Sequence, residues 1–248
     1  MANEKLRVGI IGIGMFAVYC HVPQLRAAGR AEVVACARRN PERLKMAQAA
    51  LHIERGYTDW RQMLAEEQLD AVVVSTPHNA HVEPTLAALE RGLHVLVDKP
   101  MALTSADAWT MVEAAEKANK VLMVSGSRYV GNWQTLKRQI QSGVIGRVQQ
   151  LNLAVSLYRR WFWEADAIPP DLLAYAGQLT GLPTEFLADW QSWHRDPAQL
   201  GGGAFADMGI YNLDLLLWLG GAPAVQGNHT PTQSPNVAPF FGNESSHG

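Results

Sequence analysis

Two kinds of segment alternate over the first half of the chain. Short, almost wholly apolar runs, typical of strands buried on both faces, are each followed by a longer segment with helical periodicity. Repeated βα units of this kind predict a parallel, doubly wound sheet with right-handed crossovers. The predicted strands are 6–11, 32–37, 54–57, 71–75, 94–97 and 121–124.

The carboxyl ends of these strands are where a ligand is expected, because open parallel sheets bind ligands at that edge. Gly12, Arg38, Thr76 and Lys99 each follow a predicted strand. We therefore expect these four residues to lie close together in the fold.

The first strand runs directly into Gly12-Ile13-Gly14-Met15-Phe16-Ala17, which fits the motif G-x-G-x-x-A between a strand and a helix. The first glycine permits a tight turn, the second lets the backbone approach a pyrophosphate, and the alanine allows close helix packing. The segment 17–28 is predicted to be helical despite Pro23, and its N-terminus offers N–H groups to phosphate. The motif predicts dinucleotide binding; the alternative is an ordinary glycine turn. The expected cofactor contacts here are Gly12, Gly14, Met15 and Phe16.

The end of the second strand bears on the choice of cofactor. Folds that bind NAD usually carry Asp or Glu there, to bind the ribose 2′-hydroxyl. This chain has Arg38 and Arg39 instead, and guanidinium groups suit a 2′-phosphate. The pair favours NADP(H), with NAD as the alternative cofactor. The competing interpretation is that both arginines are solvated loop charges.

A second informative segment is 201–218, where three glycines precede a predicted helix. Asp207, Tyr211 and Asp214 fall at i, i+4 and i+7 and share one helical face. A carboxylate and a phenol one turn apart beside a glycine loop can form a proton-handling site. The alternative is an amphipathic helix whose polar stripe faces solvent. The opposite face carries Leu213, Leu216 and Leu217.

Composition narrows the class of protein. The chain has 248 residues, of which 48% are hydrophobic, and this is enough for two cores. A net charge of -2 argues against nucleic acid and acidic membrane surfaces as partners. No apolar run is long enough to span a membrane, and the N-terminus does not resemble a signal peptide. Two cysteines provide no disulfide framework, and the eight histidines show no metal-ligand spacing. We expect a cytoplasmic protein without a metal site.

Five motifs together resemble the glucose-fructose oxidoreductase / inositol dehydrogenase (Gfo/Idh/MocA) family. They are 8–14, 75–81, 98–100, 143–146 and 201–218. The resemblance implies a Rossmann domain followed by an α+β domain with a large, open, mainly antiparallel sheet. It also implies hydride transfer between a nicotinamide and a sugar, cyclitol or related alcohol.

The domain boundaries expected from this resemblance are 1–125 for the Rossmann domain and 126–226 for the substrate and oligomerisation domain, with an irregular tail at 227–248. Family members continue past this point, so we expect an incomplete second sheet. The outer face of that sheet commonly packs on another subunit. A homodimer or higher homo-oligomer is therefore expected.

The resemblance also implies catalytic roles. Lys99 matches the lysine of the family's Glu-Lys-Pro motif, with Asp98 in place of the glutamate, and is expected near the nicotinamide and the reacting hydroxyl. Tyr211 stands where many members carry an acid/base histidine, as in the tyrosine-containing branch. We expect Lys99 and the charge of an oxidised nicotinamide to lower the pKa of Tyr211, and Asp207 to orient the substrate.

Further contacts are predicted. Arg128 and Trp161 are predicted to contact the substrate, together with Asp207 and Tyr211. Trp161 belongs to a cluster of aromatic residues and two arginines at 158–163, which could stack on sugars, bind an anion or cover a subunit interface. The segment from Leu172 to Arg195 is predicted to be helical. The remaining predicted cofactor contacts are Thr76, Pro77, Asn79, His81, Asp98 and Lys99.

The function predicted from all this is an NADP(H)-dependent oxidoreductase acting on a small sugar, cyclitol or polyol. Two alternatives stay open at this point. One is a truncated or catalytically weak nucleotide-binding member of the family. The other is a glycosidase-type member that uses a bound cofactor without net redox turnover.

Overall fold

The computed structural model describes residues 5–129, 131–154, 168–188, 193–203 and 205–221. Its only sheet within these ranges has six parallel strands in the order β3-β2-β1-β4-β5-β6. This is the strand order of a dinucleotide-binding fold, so the predicted doubly wound sheet is confirmed. The strands are β1 (Leu6–Ile11), β2 (Ala31–Ala37), β3 (Arg55–Tyr57), β4 (Ala71–Val74), β5 (His94–Val97) and β6 (Leu122–Val124).

Helices connect the strands and cover both faces of the sheet. Several begin with a side-chain cap: Asn40 accepts a hydrogen bond from the Arg43 amide, and Thr104 accepts one from the Asp107 amide. The helices of the first half are α1 (Val22–Ala28), α2 (Pro41–Leu51), α3 (Trp60–Glu66), α4 (Val82–Glu90) and α5 (Ser105–Ala118).

The apolar runs predicted to be buried strands do fill two cores. Ile10 of β1 faces one core and Ile11 faces the other, and both are almost completely buried. In β4, Val73 joins the first core, while Val72 and Val74 join the second. Strands β1 and β4 therefore contribute to both layers, which explains why their central residues are apolar.

The helix after the glycine motif contains a widened turn. Residues Ala17–His21 form a π-helical turn that leads directly into α1, with Pro23 in the first turn of α1. Proline lacks an N–H and its ring crowds the preceding turn, so a regular helix through it is strained. A π turn accommodates one additional residue at such a point. The expected helix over 17–28 is present, but it is not regular.

The second half of the described chain is helical. Its helices are α6 (Trp133–Gln141), α7 (Pro170–Thr180), α8 (Thr184–Ala188), α9 (Pro197–Leu200) and α10 (Ile210–Gly220). The described residues after Val124 contain no strand, so they do not form the antiparallel sheet expected there. Within the described ranges, no helix is both long and apolar enough to cross a membrane.

The prediction of one continuous helix from Leu172 to Arg195 is wrong. Helix α7 ends at Gly181, whose φ of 68° favours glycine, and α8 begins after Pro183. The break lets α8 fold back onto the first half of the chain. There Phe186 and Leu187, each 1% exposed, pack into the same core as Leu44 of α2.

Candidate active site

The glycine loop lies at the carboxyl end of β1 and is shaped by the close approach of β4. Gly12 has a φ of 87°, and a Cβ there would lie 2.6 Å from the Ser75 carbonyl oxygen. Only glycine fits both the backbone angle and the space. At Gly14 a Cβ would meet no atom closer than 3.8 Å. One glycine is therefore required by the fold, whereas the other leaves an open face that fits an approaching pyrophosphate.

Arg38 braces this loop from β2. Its Nη1 donates a hydrogen bond to the Ile13 carbonyl oxygen at 2.8 Å, and its guanidinium lies 4.7 Å from the centre of the Phe186 ring. Arg39 is exposed. The two arginines that looked equivalent in the sequence therefore occupy different environments.

The predicted contacts in the glycine loop itself differ in the same way. The Met15 side chain is packed into the core at 8% exposure, so a contact to a cofactor from Met15 would have to come from its backbone. The Phe16 ring meets the rings of Tyr19 and His21 edge to face, at centroid distances of 5.2 Å and 5.0 Å. Phe16 therefore faces the widened turn of its own helix.

The loop after β4 carries further predicted contacts. Thr76 donates from Oγ1 to the Ala80 carbonyl oxygen at 2.9 Å, Pro77 is half-buried and Asn79 is exposed. His81 is fully buried, and its two ring nitrogens lie 2.9 Å from the carbonyl oxygens of Thr76 and Pro100. The structure thus places the His81 side chain between the β4 and β5 loops, without an exposed surface for a cofactor.

Lys99, Asp207 and Tyr211 lie together in the structure. Lys99 follows β5, and the peptide bond between it and Pro100 is cis. Its ammonium group donates to the carboxylate and to the backbone carbonyl of Asp207. The same nitrogen lies 4.9 Å from the centre of the Tyr211 ring. The ammonium group is therefore held between a carboxylate and the face of a phenol.

The helix that carries Asp207 and Tyr211 is also widened. Residues Phe205–Gly209 form a second π-helical turn, which leads into α10. The face with Asp207 and Asp214 is buried, while Leu213 on the face predicted to be apolar is 39% exposed. The polar stripe therefore points into the protein, contrary to the interpretation as a solvent face.

Two histidines surround Asp207. The Nε2 atoms of His78 and His194 each lie 3.9 Å from one of its carboxylate oxygens. His78 Nδ1 lies 2.9 Å from the Leu200 carbonyl oxygen, and burial lowers the pKa of His78 to about 4. His78 is therefore neutral near pH 7, with its proton on Nδ1 and a lone pair on Nε2. Asp207 Oδ2 is buried and has no hydrogen-bond partner among the described residues.

His194 was not singled out from the sequence. It lies in the 3₁₀ turn Trp193–Arg195, and the Trp193 ring packs against both His194 and His78. No motif marked this position, and only the approach of distant segments brings it to Asp207.

The environment of Tyr211 differs from the expectation. Burial is the largest influence and raises the pKa of Tyr211, and the charge of Asp98 raises it further. Lys99 lies over the ring but does not reverse this direction. The direction is thus opposite to the lowering that Lys99 and an oxidised nicotinamide together were expected to produce, and with this pKa the phenol keeps its proton at neutral pH.

Asp98 is held inside the protein and does not face the crevice. His21 Nε2 lies 2.7 Å from Oδ1, and the Ser75 hydroxyl donates to Oδ2. Burial alone would raise the pKa of Asp98, but the bond and charge of His21 and the Ser75 bond outweigh it and lower the pKa. The predicted direct contact of Asp98 with a cofactor is not favoured by this geometry.

Arg128, predicted to bind substrate, forms a buried ion pair with Asp214. Its Nε donates to Oδ2 at 2.7 Å and Nη2 donates to Oδ1, so the pair is bidentate. Both side chains are less than a tenth exposed. The arrangement favours a structural role in attaching α10. Trp161, the other predicted substrate contact, lies outside the described residues.

In the part of the chain that the structure describes, no group of three or more His, Cys, Asp or Glu side chains is placed to hold a metal ion. The groups found in this region are the open glycine loop, the Lys99 ammonium group and the Tyr211 phenol, with the buried Asp207 carboxylate holding the ammonium group.

Comparison with known proteins agrees with this set of groups. The model of an oxidoreductase family with an NAD-binding Rossmann fold, GFO_IDH_MocA, matches residues 6–126. The model of the GFO/IDH/MocA C-terminal domain matches residues 133–239. The two models belong to one family and follow one another along the chain.

Individual relatives are similar over most of this chain. Identity to the myo-inositol 2-dehydrogenase of Thermotoga maritima is 26%, covering 87% of this chain and 55% of that protein. Identity to the D-glucoside 3-dehydrogenase of Escherichia coli is 31%, covering 91% and 57%. The solved structure of the WlbA dehydrogenase from Bordetella pertussis, in complex with NADH and UDP-GlcNAcA, matches with a TM-score of 0.66 and 29% identity, covering 87% of this chain and 59% of that one. The chain therefore spans little more than half the length of these relatives.

Proposed function

The chain belongs to the GFO/IDH/MocA oxidoreductase family, and from this premise we propose that it transfers a hydride between a nicotinamide cofactor and a hydroxyl-bearing carbon of a sugar, cyclitol or related polyol. The observation that carries the proposal is the placement of the Lys99 ammonium group between the Asp207 carboxylate and the Tyr211 ring. This group stands at the carboxyl edge of the sheet, where open α/β folds bind their ligands.

The glycine loop and the neighbouring strand ends would hold the cofactor. The backbone of Gly12 to Phe16 would bind the pyrophosphate, and the N-terminus of the following helix would add a favourable dipole. We propose a preference for NADP(H), because Arg38 and Arg39 stand where NAD-binding folds usually carry an acid. The bound nicotinamide supplies the hydride chemistry.

Side chains of the protein transfer the proton and stabilise the charge on the substrate oxygen. Asp207 holds the Lys99 ammonium, which directs a positive charge at the substrate oxygen and favours its developing negative charge. Tyr211 retains its proton because burial raises its pKa, so it is suited to donate a proton to a carbonyl that is being reduced. Asp207 is 3% exposed and acts through Lys99 rather than from the crevice surface.

We also propose that the protein associates with other copies of itself. We expect a homodimer or higher oligomer, since Tyr129, Val144 and Ile145 expose apolar side chains beyond the Rossmann sheet. Light scattering at micromolar concentration tests this expectation, and a monodisperse monomer would contradict it.

The test of the main proposal is a cofactor titration followed by a substrate screen. NADPH and NADH are titrated by fluorescence, and sugars and cyclitols are then screened by nicotinamide absorbance in both directions. Net oxidation or reduction of free cofactor supports the proposal. Cofactor binding with no turnover would favour the weak nucleotide-binding alternative, and substrate conversion without net cofactor change would favour the glycosidase-type alternative.

A further inference from the structure

Three separated segments meet at the carboxylate of Asp98, directly behind Lys99. His21 comes from the widened turn after the glycine loop, Ser75 from the end of β4, and Asp98 from the end of β5. His21 Nε2 lies 2.7 Å from one carboxylate oxygen, and the Ser75 hydroxyl donates to the other. His21 is 4% exposed and Asp98 is 8% exposed, so the group is sealed inside the protein.

We propose that His21 is a positioning residue for the reaction: its hydrogen bond holds Asp98 and thereby fixes the turn that carries Lys99. The inference rests on the proposed function, but the tether itself is a hydrogen-bond geometry that can be examined without a substrate.

The tether connects the cofactor side of the crevice to the catalytic side. His21 is continuous with the helix that begins at the glycine loop, and Asp98 is the immediate neighbour of Lys99. A buried hydrogen bond to a charged partner is among the stronger single contacts in proteins. The distance between glycine loop and Lys99 is thus fixed by one side-chain bond as well as by the β1–β4–β5 ladders.

The widened turn at Ala17–His21 gives this contact its direction. Each residue of an α-helix advances about 100° around the axis. A π turn contains one more residue than an α turn, so a regular helix would point the His21 side chain about 100° away. The irregular turn therefore aims His21 at Asp98.

The experiment compares His21→Gln, His21→Leu and Ser75→Ala in the full chain. Glutamine keeps a donor near the position of Nε2, leucine removes it, and Ser75→Ala removes the other hydrogen bond to the same carboxylate. We expect His21→Leu to lower kcat by on the order of tenfold or more with little change in KM, and His21→Gln to recover most of that loss.

The readout that does not need a substrate is the hydrogen bond of His21, followed by NMR of the imidazole group with His21→Gln used for assignment. A slowly exchanging proton on Nε2 is expected, and its absence would overturn the inference whatever the enzyme assays show. A His21→Gln protein as slow as His21→Leu would also overturn it. Absence of turnover on every polyol would sink the proposed function alone, because the NMR result would still decide whether His21 holds Asp98.

Discussion

Two helices of this protein begin with a widened turn, and the two turns hold their polar side chains very differently. At Ala17–His21, His21 lies 2.7 Å from Asp98, and both oxygens of that carboxylate have partners. At Phe205–Gly209, Asp207 has one buried oxygen without a hydrogen-bond partner among the described residues, and two imidazole nitrogens at 3.9 Å.

At the first turn, both carboxylate oxygens of Asp98 are hydrogen-bonded. At the second turn, one Asp207 oxygen has no hydrogen-bond partner among the described residues. Buried polar groups are usually satisfied, so an oxygen without a partner points to a place where something else acts. From this comparison we infer that the first turn holds the glycine loop and Lys99 in position, and that the second turn carries side chains that take part in the reaction. Experiments on each side can sharpen or break this division.

Tyr211→Phe should have the largest effect if the second turn carries the chemistry. The change removes only a hydroxyl from a buried ring, so folding and cofactor affinity should hold. Loss of proton transfer should lower kcat by on the order of 10²–10⁴. The matched control is Tyr175→Phe on α7, where the side chain is 59% exposed. A Tyr211→Phe protein that turns over its best substrate as fast as the control would refute the assignment.

The Arg128–Asp214 pair should be the main support of α10. Arg128→Met would leave the Asp214 carboxylate buried without its partner and should lower the free energy of unfolding by about 3–5 kcal/mol. The double change Arg128→Met with Asp214→Leu should recover much of this loss, because neither charge is then left unpaired. Denaturant unfolding measures both. Arg61→Met, which breaks an exposed pair with Glu83, should change stability little.

The neutral state of His78 predicts a pH dependence of stability. Burial lowers its pKa from 6.5 to about 4, so between these values the unfolded chain binds a proton that the folded protein refuses. Stability is therefore complete above pH 6.5 and falls as the pH drops toward 4, by up to about 3 kcal/mol from this group. The free energy of unfolding should change less with pH across this window in His78→Gln than in the parent protein. An unchanged slope would show that His78 takes up its proton inside the fold.

Substitutions of Arg38 and Arg39 should distinguish support of the glycine loop from the choice between NADPH and NADH. Arg38 braces Ile13 of the glycine loop, so Arg38→Ala should weaken NADPH and NADH alike. Arg39 is exposed, and Arg39→Ala should weaken NADPH by about 1–2 kcal/mol and leave NADH nearly unchanged. Parallel fluorescence titrations with both cofactors measure the difference. Equal losses in Arg39→Ala would remove the 2′-phosphate argument.

The sequence was informative wherever the evidence was local. Apolar runs located the strands, and Gly12 and Gly14 located the turn beside them. Lys99, Asp207 and Tyr211 could be brought together only with the help of the family resemblance, because they are far apart in the chain.

Features that depend on packing could not be predicted from the sequence. The direction of the Tyr211 pKa follows from burial, which its neighbours in sequence do not reveal. His194 reaches Asp207, and Phe186 reaches Arg38, only after separate elements have packed. The widened turn at Ala17–His21 lies beside Pro23 and brings His21 to Asp98, a contact that the sequence does not reveal.

The return of α8 onto the first half of the chain has a consequence for synthesis. Phe186 and Leu187, together with Leu182, complete a core whose other buried residues lie between Val8 and Val73. Arg43 adds hydrogen bonds to the carbonyl oxygens of Glu185 and Phe186 across the same contact. A nascent chain released only as far as residue 125 has its sheet but leaves this apolar surface uncovered. Final closure must wait until α8 has left the ribosome, and a contact spanning so much sequence forms slowly. The cell must keep the emerging Rossmann half from aggregating during that interval.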